Sequence, residues 1–239
     1  MPLMNSMKDG AAGCDTPRVK GLPEAARDFR YLLNRGYPRK ASLELAGNRY
    51  QLCAEERHLL HRAIFSDRDS TVRAKKIVPL KEISNQALAI DGYNVLITVE
   101  AALRNHPLIL GDDGFVRDIS GTSGAFKRTD RTDQAIRLIL RTLKKANPRQ
   151  ILFLFDAPIS RSGELAREVK ARMKKEDLAG KAEAVPVPEK TLIGFRGIVA
   201  TSDTALIDQS ERVTDLAGFL IKRSIRPGSF IHLSQRSRS

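Results

Sequence analysis

The sequence predicts an α/β protein whose mostly parallel sheet is covered by helices on both faces, with a small helical unit in front of it. Three observations carry this. From Ile77 onward strand-like and helix-like segments alternate, the pattern of parallel strands joined by crossover helices. Three apolar runs each halt on an aspartate, at Asp91, Asp156 and Asp203. Before Ile77 the apolar residues recur at helical spacing instead.

Residues 1–22 mix Met, Gly, Ser, Asp and Pro without periodicity and are expected to lack order at least as far as Pro17. A helix follows from Pro23, where a proline suits the first turn and Ala25, Phe29, Leu32 and Leu33 share a face. Gly36-Tyr37-Pro38 ends it, and helices over about 41–47 and 54–65 complete a unit spanning 23–76. Two readings of this unit stand: a helix-turn-helix-sized module whose Arg35, Arg39, Lys40, Arg49, Arg57 and Arg62 contact phosphates, or a cap packed on the larger domain. His58 and His61 lie i,i+3 beside Glu55 with no third ligand apparent, which favours a structural role. Residues 66–76 are charge-rich and read as a linker.

The α/β domain covers 77–233. Strands are predicted at 87–90, 150–155, 182–187, 197–201 and 230–233, and helices at 94–105, 132–146, 162–176 and 214–223. Thr132-Asp133 supplies an N-cap for a helix with Ala135, Ile136, Ile139, Leu140 and Leu143 as its buried stripe. A long loop, 111–131, includes the glycine-containing stretch Gly121-Thr122-Ser123-Gly124. A short basic tail, 234–239, closes the chain.

The 239 residues carry 41 Lys and Arg against 28 Asp and Glu, a net charge of +13. A surface that basic suits a polyanion, and nucleic acid is the first candidate. No apolar stretch approaches the ~20 residues that cross a bilayer, and the leader lacks the apolar middle of a signal peptide. A cytoplasmic protein with no membrane partner is expected. Cys14 and Cys53 form no disulfide or zinc framework and read as reduced thiols.

In open parallel sheets ligands gather at the carboxyl ends of the strands, where the loops and helix amino ends meet. Asp91, Asp156 and Asp203 occupy that position on three predicted strands. If the strands are neighbours, three carboxylates converge, and their repulsion raises their pKa values or calls for a cation. Hard divalent Mg²⁺ or Mn²⁺ suits carboxylate oxygen. Each aspartate taken alone also suits the N-cap of the helix behind it. Asn94 is placed to orient an aspartate or a water; Glu100, Asp112, Asp113 and Asp208 are further acids available to the site.

The runs Ile90-Asp91-Gly92-Tyr93-Asn94-Val95, Phe153-Leu154-Phe155-Asp156-Ala157 and Val199-Ala200-Thr201-Ser202-Asp203 resemble, in the same order, the three signature segments of the NYN branch of the PIN-like ribonucleases. The resemblance spans about 88–220. It implies a Rossmann-like three-layer α/β/α sandwich in which clustered acids bind Mg²⁺ or Mn²⁺ and RNA phosphodiesters are cleaved. The whole chain also resembles a prokaryotic, archaea-rich family of unknown function, which implies no activity. One departure stands out. The family carries another acid shortly before the last signature strand, and here 188–196 contains only Glu189, outside any predicted helix; Glu189, Asp112 or Asp113 takes that place, or the site is weaker.

The expected chemistry is hydrolysis with the metal on Asp91, Asp156 and Asp203, with Asn94 assisting and Lys127, Arg128, Arg131 and Arg161 holding the RNA backbone. The rivals are a PIN-like protein that binds nucleic acid without cutting it and a small-molecule phosphate enzyme. The absence of GxGxxG after the first strand and of GxxxxGK[ST] disfavours dinucleotide and P-loop chemistry. The helical front recruits either substrate or a second copy of the chain.

Overall fold

A computed structural model describes residues 21–119, 126–225 and 230–233. The expectations for the leader up to residue 20, for Gly121–Gly124 and for the basic tail fall outside the described residues.

Four helices come first, α1 (Leu22–Asn34), α2 (Arg39–Arg49), α3 (Ala54–Ala63) and α4 (Asp67–Lys75). Leu22, Ala25, Phe29, Leu59 and Leu60 form their core, which also takes Ile109 and Leu233 from the α/β part. α4 corrects the linker predicted at 66–76. Ser66 caps it, accepting from the Asp69 N–H at 3.0 Å. The helix is hidden in the sequence because its buried side chains, Ser70 and Arg73, are polar.

The chain continues as β1 (Ala87–Asp91), α5 (Gly92–Leu103), β2 (Leu108–Leu110), β3 (Val116–Asp118), α6 (Asp130–Ala146), β4 (Gln150–Asp156), α7 (Ser162–Lys175) and β5 (Gly180–Val185). Then follow α8 (Pro188–Ile193), β6 (Ile198–Ala200), α9 (Thr204–Gln209), β7 (Val213–Thr214), α10 (Leu216–Leu220) running into a π-helical turn at Ile221–Ile225, and β8 (Phe230–His232). Five strands make a parallel sheet in the order β5-β4-β1-β6-β7. The architecture is α/β with helices packed on a mostly parallel sheet, compatible with a Rossmann-like sandwich.

This order positions the site. β1 is central, with β4 on one side and β6 on the other, so the connections diverge at β1 and a crevice opens past its carboxyl end. Register puts Asp91 opposite Leu154 and Ile90 opposite Ala200, so Asp156 and Asp203 lie just beyond the same edge. Gly92 makes the close turn possible, since a Cβ there would stand 2.6 Å from the Leu154 carbonyl and the Phe155 ring. The predicted stripe Ala135, Ile136, Ile139, Leu140 and Leu143 is buried in the main core.

Several predicted boundaries move. The loop expected over 111–131 contains β3, which pairs antiparallel with β2; both strands are three residues long, too short for alternation to show. The predicted strand 230–233 becomes β8 but pairs with β2 in this second sheet, away from the main one. β5 starts at Gly180, two residues early, where a φ of 145° and the Ile151 carbonyl 1.9 Å from an added Cβ admit only glycine. α6 begins before the predicted Thr132 cap: the Thr129 N–H donates to the Thr132 hydroxyl at 2.9 Å, turning Thr132 into a partner of the cap.

Candidate functional site

Asp91, Asp156 and Asp203 line one open cleft of ≈ 430 Å³ at the carboxyl edge of the sheet, together with Asn94, Asp118, Glu189 and Arg62. Asp91 is 9% exposed. Burial pushes its carboxyl up to about 7, the charges of Asp203 and Asp156 push the same way, and hydrogen bonding from Thr201 pulls against them. The Thr201 hydroxyl donates to Asp91 Oδ2 at 2.9 Å and accepts from the Asp203 N–H at 3.1 Å, tying two corners of the cleft together.

Asp156, ending β4, is also raised, by burial first and then by the charge of Glu189. Tyr93 rises to about 12 through burial and the charge of Asp156. Asn94 Oδ1 accepts from the N–H and the hydroxyl of Ser202 at 2.8 and 3.0 Å, so the first turn of α5 holds the loop that presents Asp203. Asp203 Oδ1 accepts from the N–H groups of Ala205 and Leu206 at 2.9 and 3.0 Å. The capping role open to every one of these aspartates is thus realised at one oxygen of Asp203.

As the side chains stand, no three His, Cys, Asp or Glu among the described residues are grouped to hold a metal ion. Hydrogen bonding turns Asp91 toward Thr201 and Asp203 toward α9. Yet none of Asp91, Asp156, Glu189 and Asp203 pairs with a lysine or arginine within 4.0 Å among the described residues.

The other candidate acids lie outside the cleft, each engaged by neighbouring side chains. Asp112 accepts from Arg30 Nε and Nη2, both at 2.8 Å. Asp113 is fully buried and accepts from Arg117 Nη1 and Nη2 at 2.8 and 2.7 Å. Asp208 accepts from Arg73 Nε and Nη2 at 2.7 and 2.8 Å. Glu100 is buried, accepts from the Thr129 and Thr132 hydroxyls at 2.9 Å each, and pairs with Arg104.

Glu189 occupies the first turn of α8, a helix absent from the predicted elements although Pro188 suits its first position. Three contributors escaped the sequence reading: Asp118 at the end of the short β3, Thr201, and Arg62 on α3, which had appeared only among general phosphate contacts. Of the basic residues, Lys127, Arg128 and Arg161 line a second hollow of ≈ 730 Å³ with Phe126. It shares Tyr93, Pro158 and Ile159 with the acidic cleft. Arg128 is also held by Asp133 and Glu168, and Arg161 by Glu164. Arg131 is exposed, donates to Gln134 at 2.9 Å and lines neither hollow.

Sheet order and site together define an α/β protein with an acid-lined cleft at the point where its strand order reverses. Within that class the chain belongs to the family described as Domain of unknown function (DUF5616), matched over residues 80–219. Residues 21–76 match the family described as Protein of unknown function (DUF434). The chain is 35% identical over 192 residues to the "Uncharacterized protein MJ0935" of Methanocaldococcus jannaschii, across 80% of this chain and 91% of that protein. No solved structure matches it. No helix among the described residues is long and apolar enough to cross a membrane.

Proposed function

We propose that this protein is a Mg²⁺- or Mn²⁺-dependent ribonuclease, a PIN/NYN-like domain carrying a helical unit at its front. The observation that carries the reading is the set of carboxylates, Asp91, Asp156, Glu189 and Asp203, lining one cleft without an ion-paired lysine or arginine among the described residues, in a chain of net charge +13. Burial first, and then the charges of neighbouring carboxylates, raise Asp91 and Asp156, and a cation bound among these groups would favour their ionised forms.

An all-oxygen donor set fits these two ions, which bind through one or two carboxylates, retain water and take up phosphate oxygens. Asp91, Asp156 and Glu189 would hold the ion, with Asp203 contributing the oxygen not used in its cap. When bound, the ion polarises a phosphoryl oxygen and lowers the pKa of an attacking water. Asn94 and Thr201 keep the Asp203 loop against Asp91, so the carboxylates stay aligned at the strand ends. The strand of RNA would cross from the neighbouring hollow, with its phosphates toward Lys127, Arg128 and Arg161 and a base against Phe126. In-line displacement leaves a 5′-phosphate and a 3′-hydroxyl.

Binding without cutting is the second reading, favoured by the commitment of Asp203 Oδ1 to α9. Labelled single-stranded RNA incubated with Mn²⁺ separates the two. Wild type is expected to cleave, and Asp91→Asn to be slower by at least ~10²-fold. Equal cleavage by the two proteins, or none by either across single-stranded and folded RNAs, removes the nuclease reading. Salt-sensitive binding without any cleavage establishes the second.

A further inference from the structure

Arg62 joins the two family regions at the cleft. It lies on α3, inside the match at 21–76, while the acids belong to the match at 80–219. It is the one cation among the described residues that line the cleft. Its Nε is buried without a hydrogen-bond partner, and its guanidinium has no carboxylate within 4.0 Å among the described residues. Burial, and then the charge of Arg117, push its pKa down, while Asp118 and Asp203 push it up.

Other arginines of this protein show what a committed guanidinium looks like. Arg30, Arg73 and Arg117 each grip a carboxylate with two N–H groups at 2.7–2.8 Å. Arg62 sits near Asp118 and Asp203 and grips neither. Leaving a buried donor unpaired is costly, so the natural complement is an acceptor that arrives with a ligand. The planar fork of a guanidinium matches the two non-bridging oxygens of a phosphodiester.

We propose that Arg62 is the phosphate clamp of the cleft: it takes the non-bridging oxygens of an RNA phosphodiester lying over Asp91, Asp156 and Glu189. The helical region thereby supplies, within the same chain, a cation that none of the described α/β residues lining the cleft provides. This rests on the reading of the cleft as an RNA site, and it requires phosphate binding, with or without cleavage.

The test measures the anisotropy of a 5′-labelled single-stranded oligoribonucleotide with the full chain, in Ca²⁺ in place of Mn²⁺, over a series of KCl concentrations. Arg62→Met keeps the apolar stem and removes the charge. It should weaken binding about 5- to 10-fold and flatten the log–log salt dependence by about 0.7, the share of one phosphate contact on a single strand. Arg62→Lys should restore the slope and only part of the affinity. Arg27→Met, which removes an exposed charge on α1, should change neither. Wild-type affinity and slope in Arg62→Met overturn the clamp. If Arg62→Met fails to fold, Arg62→Lys decides: a retained slope with at least ~3-fold weaker binding supports the clamp, and unchanged affinity overturns it. Cleavage assays in Mn²⁺ separate this inference from the nuclease reading. RNA bound with an Arg62-dependent slope yet left intact by wild type removes the nuclease reading alone. Cleavage abolished by Asp91→Asn with no change at Arg62 removes the clamp alone.

Discussion

Two sets of aspartates and glutamates in this protein are the same chemistry in opposite circumstances. Asp112, Asp113 and Asp208 meet Arg30, Arg73 and Arg117 and stitch the front helices to the α/β part. Asp91, Asp156, Glu189 and Asp203 line the cleft and meet no such partner among the described residues. A carboxylate satisfied by a buried arginine contributes to holding the chain together, and its removal strands the arginine. A carboxylate left beside others of its kind stores repulsion, which a proton or a ligand relieves.

The sharpest way to break this contrast is to truncate one member of each set. Asp113→Ala leaves Arg117, 2% exposed, without its main partner and should cost about 3–5 kcal/mol, read as a lowered urea midpoint. Asp156→Asn relieves repulsion and should leave the metal-free protein within about 1 kcal/mol of wild type. Equal losses in the two variants would collapse the distinction.

A somewhat smaller effect is expected from pH. The folded carboxyl of Asp91 titrates at about 7 against an ordinary 3.8, so between those values the folded chain holds a proton that the unfolded chain has released. Stability of the metal-free protein therefore falls as pH rises through that window, by roughly 2–4 kcal/mol from this group, and Asp91→Asn should remove that part of the fall. Mn²⁺ competes with the same proton. At about 100 times its Kd it should add ~2.7 kcal/mol at pH 8 and much less at pH 5, read from thermal melts. The same gain at both pH values would place the ion elsewhere.

The smallest effect tests the double role of Asp203. Asp203→Ala removes the cap of α9 and should cost ~1 kcal/mol, whereas Asp203→Asn keeps the cap and should change stability by a few tenths. Loss of cleavage in the stable Asp203→Asn protein assigns the charge to the site; full cleavage leaves the residue as a cap only.

Much of the main sheet was legible because its inner strands are buried and read as unbroken apolar runs, as at Leu88–Ile90 and Phe153–Phe155. The three aspartates were legible for a related reason: parallel strands put all their carboxyl ends on one side, so a residue that stops each run belongs to that side. β2, β3 and α8 were not, since segments of three to six residues carry too little periodicity. α4 was misread because its inward face is Ser70 and Arg73, and such a face becomes buried only through distant partners.

By itself the sequence determined the α/β alternation, the placing of Asp91, Asp156 and Asp203 at or just past the carboxyl ends of their strands, and the basic character of the chain. Only the tertiary structure decided which acids are clamped and which are left to the cleft. Asp203 and Asp208 lie in one short stretch, yet Asp208 meets Arg73 of α4 while Asp203 lines the cleft with Arg62. Arg73 reaches Asp208 across 135 positions. Residue type and local pattern set where a carboxylate stands along its own strand or loop; whether it is neutralised there depends on which distant side chain the packing brings to it.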